Sequence, residues 1–145
     1  MIVRPWAIFK ADFPDDMIED EHDIVQFGGL GVAEAIGEIL TQMGCLVSDP
    51  IYGELHGWGL AIQVRSRDLW CQITDGGDQE VRLYIEALSW LDKILRRCNP
   101  AYIETLEKLH AALTSDPRFD QIQWFALDHK GCMGDEACKE PVTPS

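Results

Sequence analysis

Acidic side chains are concentrated in one short segment of this sequence. Residues 12–23 contain no Lys or Arg and hold Asp12, Asp15, Asp16, Glu19, Asp20, Glu21 and Asp23. Such a group of carboxylates can bind a hard cation or attract a basic protein. Calcium loops, however, place oxygen ligands at alternate positions around a glycine bend, and this segment lacks that pattern. The segment therefore indicates a solvated surface loop, and the hypothesis with functional content is a docking surface for a basic partner formed by Asp15, Asp16, Glu19, Asp20, Glu21 and Asp23.

A glycine-rich turn, Gly28-Gly29-Leu30-Gly31, precedes a helical pattern and invites comparison with a dinucleotide-binding turn. Aligned on Gly29 and Gly31, the third glycine of that fingerprint falls on Glu34. Its bulk and charge oppose both close helix packing and a bound pyrophosphate. No Gly-Lys-Ser/Thr phosphate loop is present either. The glycines therefore predict a sharp entry into a helix, and we expect no cofactor.

A histidine and two cysteines near the end of the chain have the residue types of a zinc site. His129, Cys132 and Cys138 are spaced His-x2-Cys-x5-Cys, but a structural zinc site needs four donors and no neighbouring residue supplies the fourth. We expect no metal there and interpret the cysteines as tail thiols, able to form a disulfide if the protein is oxidised. The remaining cysteines lie in apolar patterns and are expected to be small core residues: Cys45, Cys71 and Cys98.

A second candidate contact surface lies on a predicted hairpin. Trp70 shares a strand face with Gln72 and Thr74, so it is exposed unless a helix or a second subunit covers it. Arg65 and Arg67 lie at the adjacent turn, and Trp and Arg are the residue types that anchor interfaces. We therefore include all three residues among the predicted partner-binding residues, and a homodimer contact is an alternative for the same face.

Catalytic signatures are weak in this sequence. It has neither a nucleophile elbow nor a His-Glu-x-x-His helix. An alternative in which the protein is a small enzyme or ligand-binding domain requires a polar pocket between sheet and helices, lined by Glu54, His56 and Trp58. Trp58 is in phase with the apolar residues of its strand, which favours a place in the core instead. A non-enzymatic role is the preferred interpretation.

The elements that position these residues follow from hydrophobic periodicity. Residues 58–65, 69–74 and 81–86 alternate between apolar and polar side chains, as half-buried strands do. Their connections are too short for parallel pairing, so they are predicted to be antiparallel neighbours, with the tightest turn at residues 75–78. Further strands are predicted at residues 6–9 and 122–127.

Helices are predicted on both sides of this sheet region in the sequence. Apolar residues recur at helical spacing from Val32 to Met43, and Gly44 is expected to end that helix. A second helix is predicted from Leu88 to Cys98. A third begins at Asn99-Pro100, a capping pair, and ends at Ser115-Asp116-Pro117. The fold class is therefore α+β: an antiparallel β-meander packed against two or three α-helices over residues 1–127, followed by a loosely ordered tail at residues 128–145.

Composition limits the classes of partner and compartment. The 145 residues carry a formal net charge of −13, which repels nucleic acid and anionic lipid and attracts basic proteins. No apolar stretch has the length of a membrane span, and no signal peptide is recognisable. We therefore expect a cytoplasmic protein that binds neither nucleic acid nor membrane, with its cysteines largely reduced.

Three sets of segments carry a resemblance: residues 32–44, the strand from Gly57-Trp58 with residues 69–73, and residues 109–113 with 116–119 and 122–125. Together they resemble a loose family of small acidic uncharacterised bacterial proteins, some of which are similar to immunity proteins that neutralise toxins. The resemblance rests on packing residues and turns, so it implies a fold more than a function and carries no active-site residue. It implies a toxin-neutralising or regulatory binding protein, the alternatives being the pocket-containing domain above and a homo-oligomeric assembly protein.

Overall fold

The computed structural model describes residues 1–53, 57–89 and 99–144. Two α-helices lie within these ranges, α1 (Leu30–Gln42) and α2 (Pro100–Ser115). The strands are β1 (Ile2–Val3), β2 (Trp6–Ala11), β3 (Ile18–Glu19), β4 (Ile24–Gln26), β5 (Leu46–Val47), β6 (Ile51–Gly53), β7 (Gly57–Val64), β8 (Arg67–Gly77), β9 (Glu80–Ala87), β10 (Phe119–Leu127), β11 (Met133–Cys138) and β12 (Val142–Thr143). No helix of the described residues is long and apolar enough to cross a membrane.

One antiparallel sheet organises the fold. Its strand order is β11-β10-β2-β9-β8-β7-β5, and β6 also pairs with β7. The segments predicted as three antiparallel neighbours are β7, β8 and β9, and they pair in that order. The full sheet is not a simple meander, because β2, from the start of the chain, lies between β9 and β10. The α+β class is confirmed, and the meander describes only part of the sheet.

The hydrophobic core lies between one face of this sheet and the two helices. Alternate residues of the central strands are almost completely buried on that face, as period-two patterning requires. They include Leu60 and Ile62, Leu69, Cys71 and Ile73, and Val81, Leu83 and Ile85. From the helices, Ile36 and Leu40 of α1 and Leu106, Leu109 and Leu113 of α2 complete the core. Burial raises the pKa of the Cys71 thiol, which supports the predicted role as a small apolar residue.

Local signals set the helix ends as the sequence predicted. The Gly44 amide donates to the Thr41 carbonyl and the Cys45 amide to the Leu40 carbonyl, which is a Schellman motif with Gly44 in the left-handed conformation. At the start of α2, the Asn99 side chain accepts a hydrogen bond from the Tyr102 amide. The predicted helix from Leu88 to Cys98 lies outside the described residues except for positions 88 and 89.

Two turns show how strand twist selects backbone conformation. Arg65 and Ser66, between β7 and β8, both have positive φ, as do Asp78 and Gln79 between β8 and β9. Two consecutive residues of positive φ match the right-handed twist of a hairpin. The second turn lies later than the predicted residues 75–78, because β8 continues to Gly77 through an irregularity in its pairing with β9. The correct hairpin was therefore predicted with its turn too early.

The C-terminal segment differs from the loosely ordered tail that its composition predicts. Residues 133–138 form β11 on the edge of the main sheet, and β12 pairs with β1. Arg4 ties the two ends of the chain together, because its amide donates to the Pro141 carbonyl at 2.7 Å and its guanidinium donates to the Thr143 hydroxyl at 2.8 Å. Pairing with β10 and β1 supplies this order: β10 is the preceding strand, whereas β1 lies at the other end of the chain.

A histidine–tryptophan hydrogen bond links α2 to β10. The Trp124 indole Nε1 donates to Nδ1 of His110 at 3.0 Å, and the Trp124 side chain is fully buried. Burial lowers the pKa of His110, and the nearby charge of Glu140 partly opposes that shift. Protonation of Nδ1 removes the acceptor, so the neutral imidazole is the form that fits this arrangement.

This bond predicts a dependence of stability on pH. The unfolded chain takes up the His110 proton at a higher pH than the folded protein, so this contribution is complete above the ordinary pKa of 6.5 and decreases as the pH falls through the folded value. We expect His110→Asn, which keeps an acceptor but does not titrate, to remove up to about 1 kcal/mol of the stability change between about pH 8 and pH 5.5. Urea denaturation would measure it, with the exposed His22→Asn as control. An unchanged pH dependence in His110→Asn would contradict the assignment.

Candidate functional site

Carboxylates from three separate segments meet at one end of the sheet, which we call the acidic end. It comprises residues 12–23 after β2, residues 75–80 around the β8–β9 turn, and residues 116–120 at the start of β10. Pairing places them together: the Ala11 amide donates to the Gln79 carbonyl at 2.9 Å, and the Asp12 amide donates to the Arg118 carbonyl at 2.8 Å. The sequence showed the first group of charges, and the sheet adds Asp75, Asp78, Glu80, Asp116 and Asp120.

The segment predicted to be an acidic loop contains a small antiparallel hairpin, β3–β4, which we call the acidic hairpin (residues 18–26). Asp20 forms its turn, because the carboxylate accepts hydrogen bonds from the His22 and Asp23 amides, each at 2.8 Å. These backbone hydrogen bonds lower the pKa of Asp20. The carboxylate of Asp20 therefore remains charged while it holds the turn.

Asp16 has a structural contact that its place in the acidic segment did not reveal. Its Oδ1 accepts from the Gly29 amide and its Oδ2 from the Gly31 amide, both at 2.7 Å. Gly29 is the N-cap residue of α1 and has no side chain to cap the helix. Asp16 therefore satisfies free amides at the positive end of the helix from thirteen positions away in the sequence. A carboxylate of the chain itself occupies the place where a nucleotide phosphate would bind.

A cleft of about 390 Å³ lies beside this cap. Apolar side chains, including Phe13, Met17 and Val32, form part of its wall, and Asp15, Asp16, Asp75 and Asp78 border it. A β-carbon on Gly28 would lie 2.5 Å from Oδ2 of Asp75 and 3.2 Å from Oδ1 of Asp16. Glycine at position 28 thus allows two carboxylates to approach the start of α1.

The six acidic residues predicted to bind a partner divide into two groups. Asp15, Asp16, Asp20 and Asp23 each accept a backbone hydrogen bond, and so they shape the segment. Glu19 and Glu21 are exposed, and their carboxylates make no hydrogen bond or ion pair with the described part of the chain. Those two glutamates are therefore the carboxylates that can be neutralised without disturbing a turn or a cap.

Exposed apolar side chains lie among these charges, and charge patterning alone did not identify them. Ile18, Ile24, Val25 and Phe27 are 50%, 40%, 57% and 38% exposed. A short apolar run in the sequence does not show whether other parts of the fold cover it, so the exposure of these side chains was not predicted. The surface is consequently a mixture of carboxylates and apolar groups.

The predicted arginines lie at the opposite end of the sheet. The length of β7 and β8 separates the turn at Arg65 from the acidic end by roughly 25 Å. Arg65 forms an ion pair with Glu104 of α2, which also pairs with Lys108 at 2.7 Å, four positions later in the same helix. Arg67 begins β8 beside this turn. The structure therefore does not bring Arg65 and Arg67 together with the acidic residues in one surface.

Trp70 lies on the sheet face opposite the core, as its strand phase predicts, but it is half-buried. Its ring covers Gly59 on the neighbouring strand, and its Nε1 donates to Oε1 of Gln72 at 3.0 Å. Trp6 and Tyr84 stack on the same face with ring centroids 4.6 Å apart, and burial, with the charge of Glu86, raises the pKa of Tyr84 to about 12. Contacts within the sheet therefore cover part of the aromatic surface that was predicted to be exposed.

Of the residues predicted to line a pocket, the structure describes Trp58, while Glu54 and His56 lie outside the described residues. Trp58 is 6% exposed and faces the core, where its ring packs against Tyr52 with centroids 5.0 Å apart. Its Nε1 donates to the Phe27 carbonyl at 3.3 Å. Trp58 thus joins β7 to the base of the acidic hairpin.

The C-terminal cysteines are separated by the length of β11. Roughly 16 Å of extended chain lies between Met133, which follows Cys132, and Cys138. Both cysteines are free thiols. A disulfide requires α-carbons within about 7 Å, so the bond considered for an oxidised protein does not fit this arrangement. Within residues 1–53, 57–89 and 99–144, no group of three His, Cys, Asp or Glu side chains is placed to hold a metal ion.

The cap predicts that Asp16 stabilises the protein although it belongs to the acidic segment. Asp16→Ala leaves the Gly29 and Gly31 amides without an acceptor, and we expect a loss of about 1–2 kcal/mol in the free energy of unfolding, measured by urea denaturation. Glu21→Ala removes the same charge without breaking a hydrogen bond and should change stability by less than about 0.5 kcal/mol. Equal stabilities of the two variants would show that the cap does not contribute.

The packing of Trp70 predicts that position 59 accepts only glycine. A β-carbon there would overlap the six-membered ring of Trp70, so Gly59→Ala should cost about 1–3 kcal/mol. Combining it with Trp70→Ala should cost less than the sum of the two single substitutions, by at least about 1 kcal/mol in a double-mutant cycle. Gly53→Ala, whose β-carbon has room, is the control. Additive effects at positions 59 and 70 would contradict the predicted contact.

No family model, curated protein or solved structure matches this chain.

Proposed function

We propose that this chain is a non-enzymatic protein-binding module whose acidic end docks onto a basic surface of another protein. The observation that supports the proposal is the convergence of charge: segments far apart in sequence, at residues 12–23, 75–80 and 116–120, present carboxylates at one end of the sheet. Like charges placed close together repel, and the carboxylates that form no cap, turn or ion pair, such as Glu19 and Glu21, give no compensating contact within the described chain. Binding of a basic partner offsets the repulsion among these carboxylates and so gives the arrangement a functional explanation.

The cations at this end leave its negative charge largely uncompensated. Arg118 forms a bidentate pair with Asp116, with Nη2 2.7 Å from Oδ2, and this contact holds the pKa of Asp116 low. Lys10 lies opposite Glu80 and Asp120 on the neighbouring strands and donates to the backbone carbonyl of Asp78 at 3.2 Å, so Lys10 and Arg118 are two cations among the carboxylates of three segments. A negative field of this kind steers a positively charged protein and raises its association rate.

The resemblance to small acidic proteins of the immunity type gives this proposal a class of partner. Under it, the partner is a basic toxin and binding neutralises it; a regulatory role toward another basic protein uses the same surface. Complementary charge sets the encounter rate in both cases. We place the protein in the cytoplasm and expect it to bind neither nucleic acid nor membrane, because its charge repels phosphate.

The proposal predicts charge-dependent association. Wild-type protein would be immobilised to capture partners from its host, and the retained protein would be purified for kinetic measurements. Glu19→Gln with Glu21→Gln should lower the association rate constant by about tenfold at low salt, and the difference should shrink above about 0.5 M NaCl as screening increases.

Glu107→Gln with Glu136→Gln removes the same charge from exposed sites on α2 and β11, and should leave the rate within about twofold of wild type. Thermal unfolding of all variants checks that folding is intact. If both pairs of substitutions slow association equally, only net charge matters and the acidic end is not the docking surface.

A further inference from the structure

We infer that the acidic hairpin is the contact element and that its exposed apolar residues pack into an apolar patch bordered by Lys or Arg on the partner. This inference rests on the proposed function and makes it more specific, because the acidic end alone requires only a basic surface. Four large apolar side chains, Ile18, Ile24, Val25 and Phe27, are each between 38% and 57% exposed within or beside the acidic hairpin. They add a hydrophobic contribution that charge alone does not provide.

The geometry of β4 shows that the acidic hairpin stands away from the core. Neighbouring residues of a strand point to opposite faces, yet Ile24 and Val25 are 40% and 57% exposed. Both faces of β4 are therefore partly open to solvent in the described part of the chain. Glu19, Glu21 and Asp23 lie beside these apolar side chains in the sequence and are also exposed. A partner that covers the hairpin must meet apolar groups and carboxylates together.

The base of the acidic hairpin is held firmly, which favours binding without a large ordering cost. The Phe27 amide donates to the Tyr52 hydroxyl at 2.9 Å, and the Phe27 carbonyl accepts from Trp58 Nε1. Before β3, the Asp16 carboxylate is fixed to the start of α1. Both ends of the segment are thus attached to the body of the protein, and less conformational entropy is lost when its tip is covered.

Charge decides between the candidate occupants of this surface. A second copy of the chain would bring its own acidic hairpin, or another part of a molecule of net charge −13, against the same carboxylates. An anionic lipid surface would be repelled in the same manner. A protein patch with apolar residues at its centre and Lys or Arg at its rim complements both features, so it is the occupant to which we commit.

Short synthetic peptides test the chemistry without knowledge of the natural partner. One alternates lysine with valine, a second alternates lysine with serine and has the same charge, and a third alternates glutamate with valine. Amide chemical shifts of the labelled full chain would report affinity and location. We expect the lysine–valine peptide to bind at least about tenfold more tightly than the lysine–serine peptide, with shifts centred on residues 18–27, and the glutamate–valine peptide not to bind.

Paired variants separate this inference from the proposed function. Ile24→Ser with Val25→Ser should lower the affinity for the lysine–valine peptide by about tenfold and leave the affinity for the lysine–serine peptide unchanged. Leu46→Ser with Leu127→Ser removes exposed apolar side chains elsewhere and should have no effect. One outcome separates the two ideas: Glu19→Gln with Glu21→Gln lowers the affinity for both cationic peptides, while Ile24→Ser with Val25→Ser changes neither affinity. That outcome would support the acidic docking surface and overturn the apolar contact. If neither pair matters, both proposals fail.

Sedimentation tests whether a second copy of the chain occupies the acidic hairpin. If the acidic hairpin bound a second copy, screening by salt would promote dimers, because it removes the repulsion between like charges. We expect a monomer at both about 20 mM and about 500 mM NaCl. A dimer that forms at high salt and disappears in Ile24→Ser with Val25→Ser would overturn the choice of a basic partner.

Discussion

The carboxylate of Asp16 is the contact on which the arrangement of the acidic end depends. It accepts hydrogen bonds from two amides at the start of α1, a helix whose own N-cap is a glycine. The helix thereby gains the acceptor that its own sequence lacks, and the acidic segment gains an attachment to the core. One interaction thus couples a core helix to the surface that we propose binds a partner. It also fills the position where an anionic ligand would be attracted.

The sheet has a comparable role for charge. Because β2 lies between β9 and β10, the chain leaves the end of β2 beside the turn of the β8–β9 hairpin and the start of β10. Three groups of carboxylates are consequently neighbours at that end. Arg65 and Arg67 are placed at the other end by the length of β7 and β8, where Arg65 pairs with Glu104, so these two arginines do not neutralise the acidic end. The concentration of negative charge at one end of the sheet thus results from the strand order and not from composition alone.

Patterns within one element were the most accurate predictors from the sequence. The alternation of Leu60 and Ile62 with polar neighbours identified the buried face of β7, and Asn99-Pro100 and Gly44 identified a helix start and a helix end, because these signals depend on neighbouring residues. Signals that depend on distant partners were misread. Val142 and Thr143 looked like part of a loose tail because β12 pairs with β1 at the other end of the chain, and Trp70 looked exposed because Gly59 lies on another strand.

The sequence by itself determined the α+β class, the central strands, the ends of both described helices and the large excess of negative charge, because periodicity, capping and composition act over short distances. Only the tertiary structure decided that Asp16 caps a helix, that Glu19 and Glu21 remain available, and that Ile24 and Val25 are exposed among carboxylates. Hydrogen-bond partners and solvent exposure arise from residues far apart in the chain. A single sequence does not encode those distances in any local pattern.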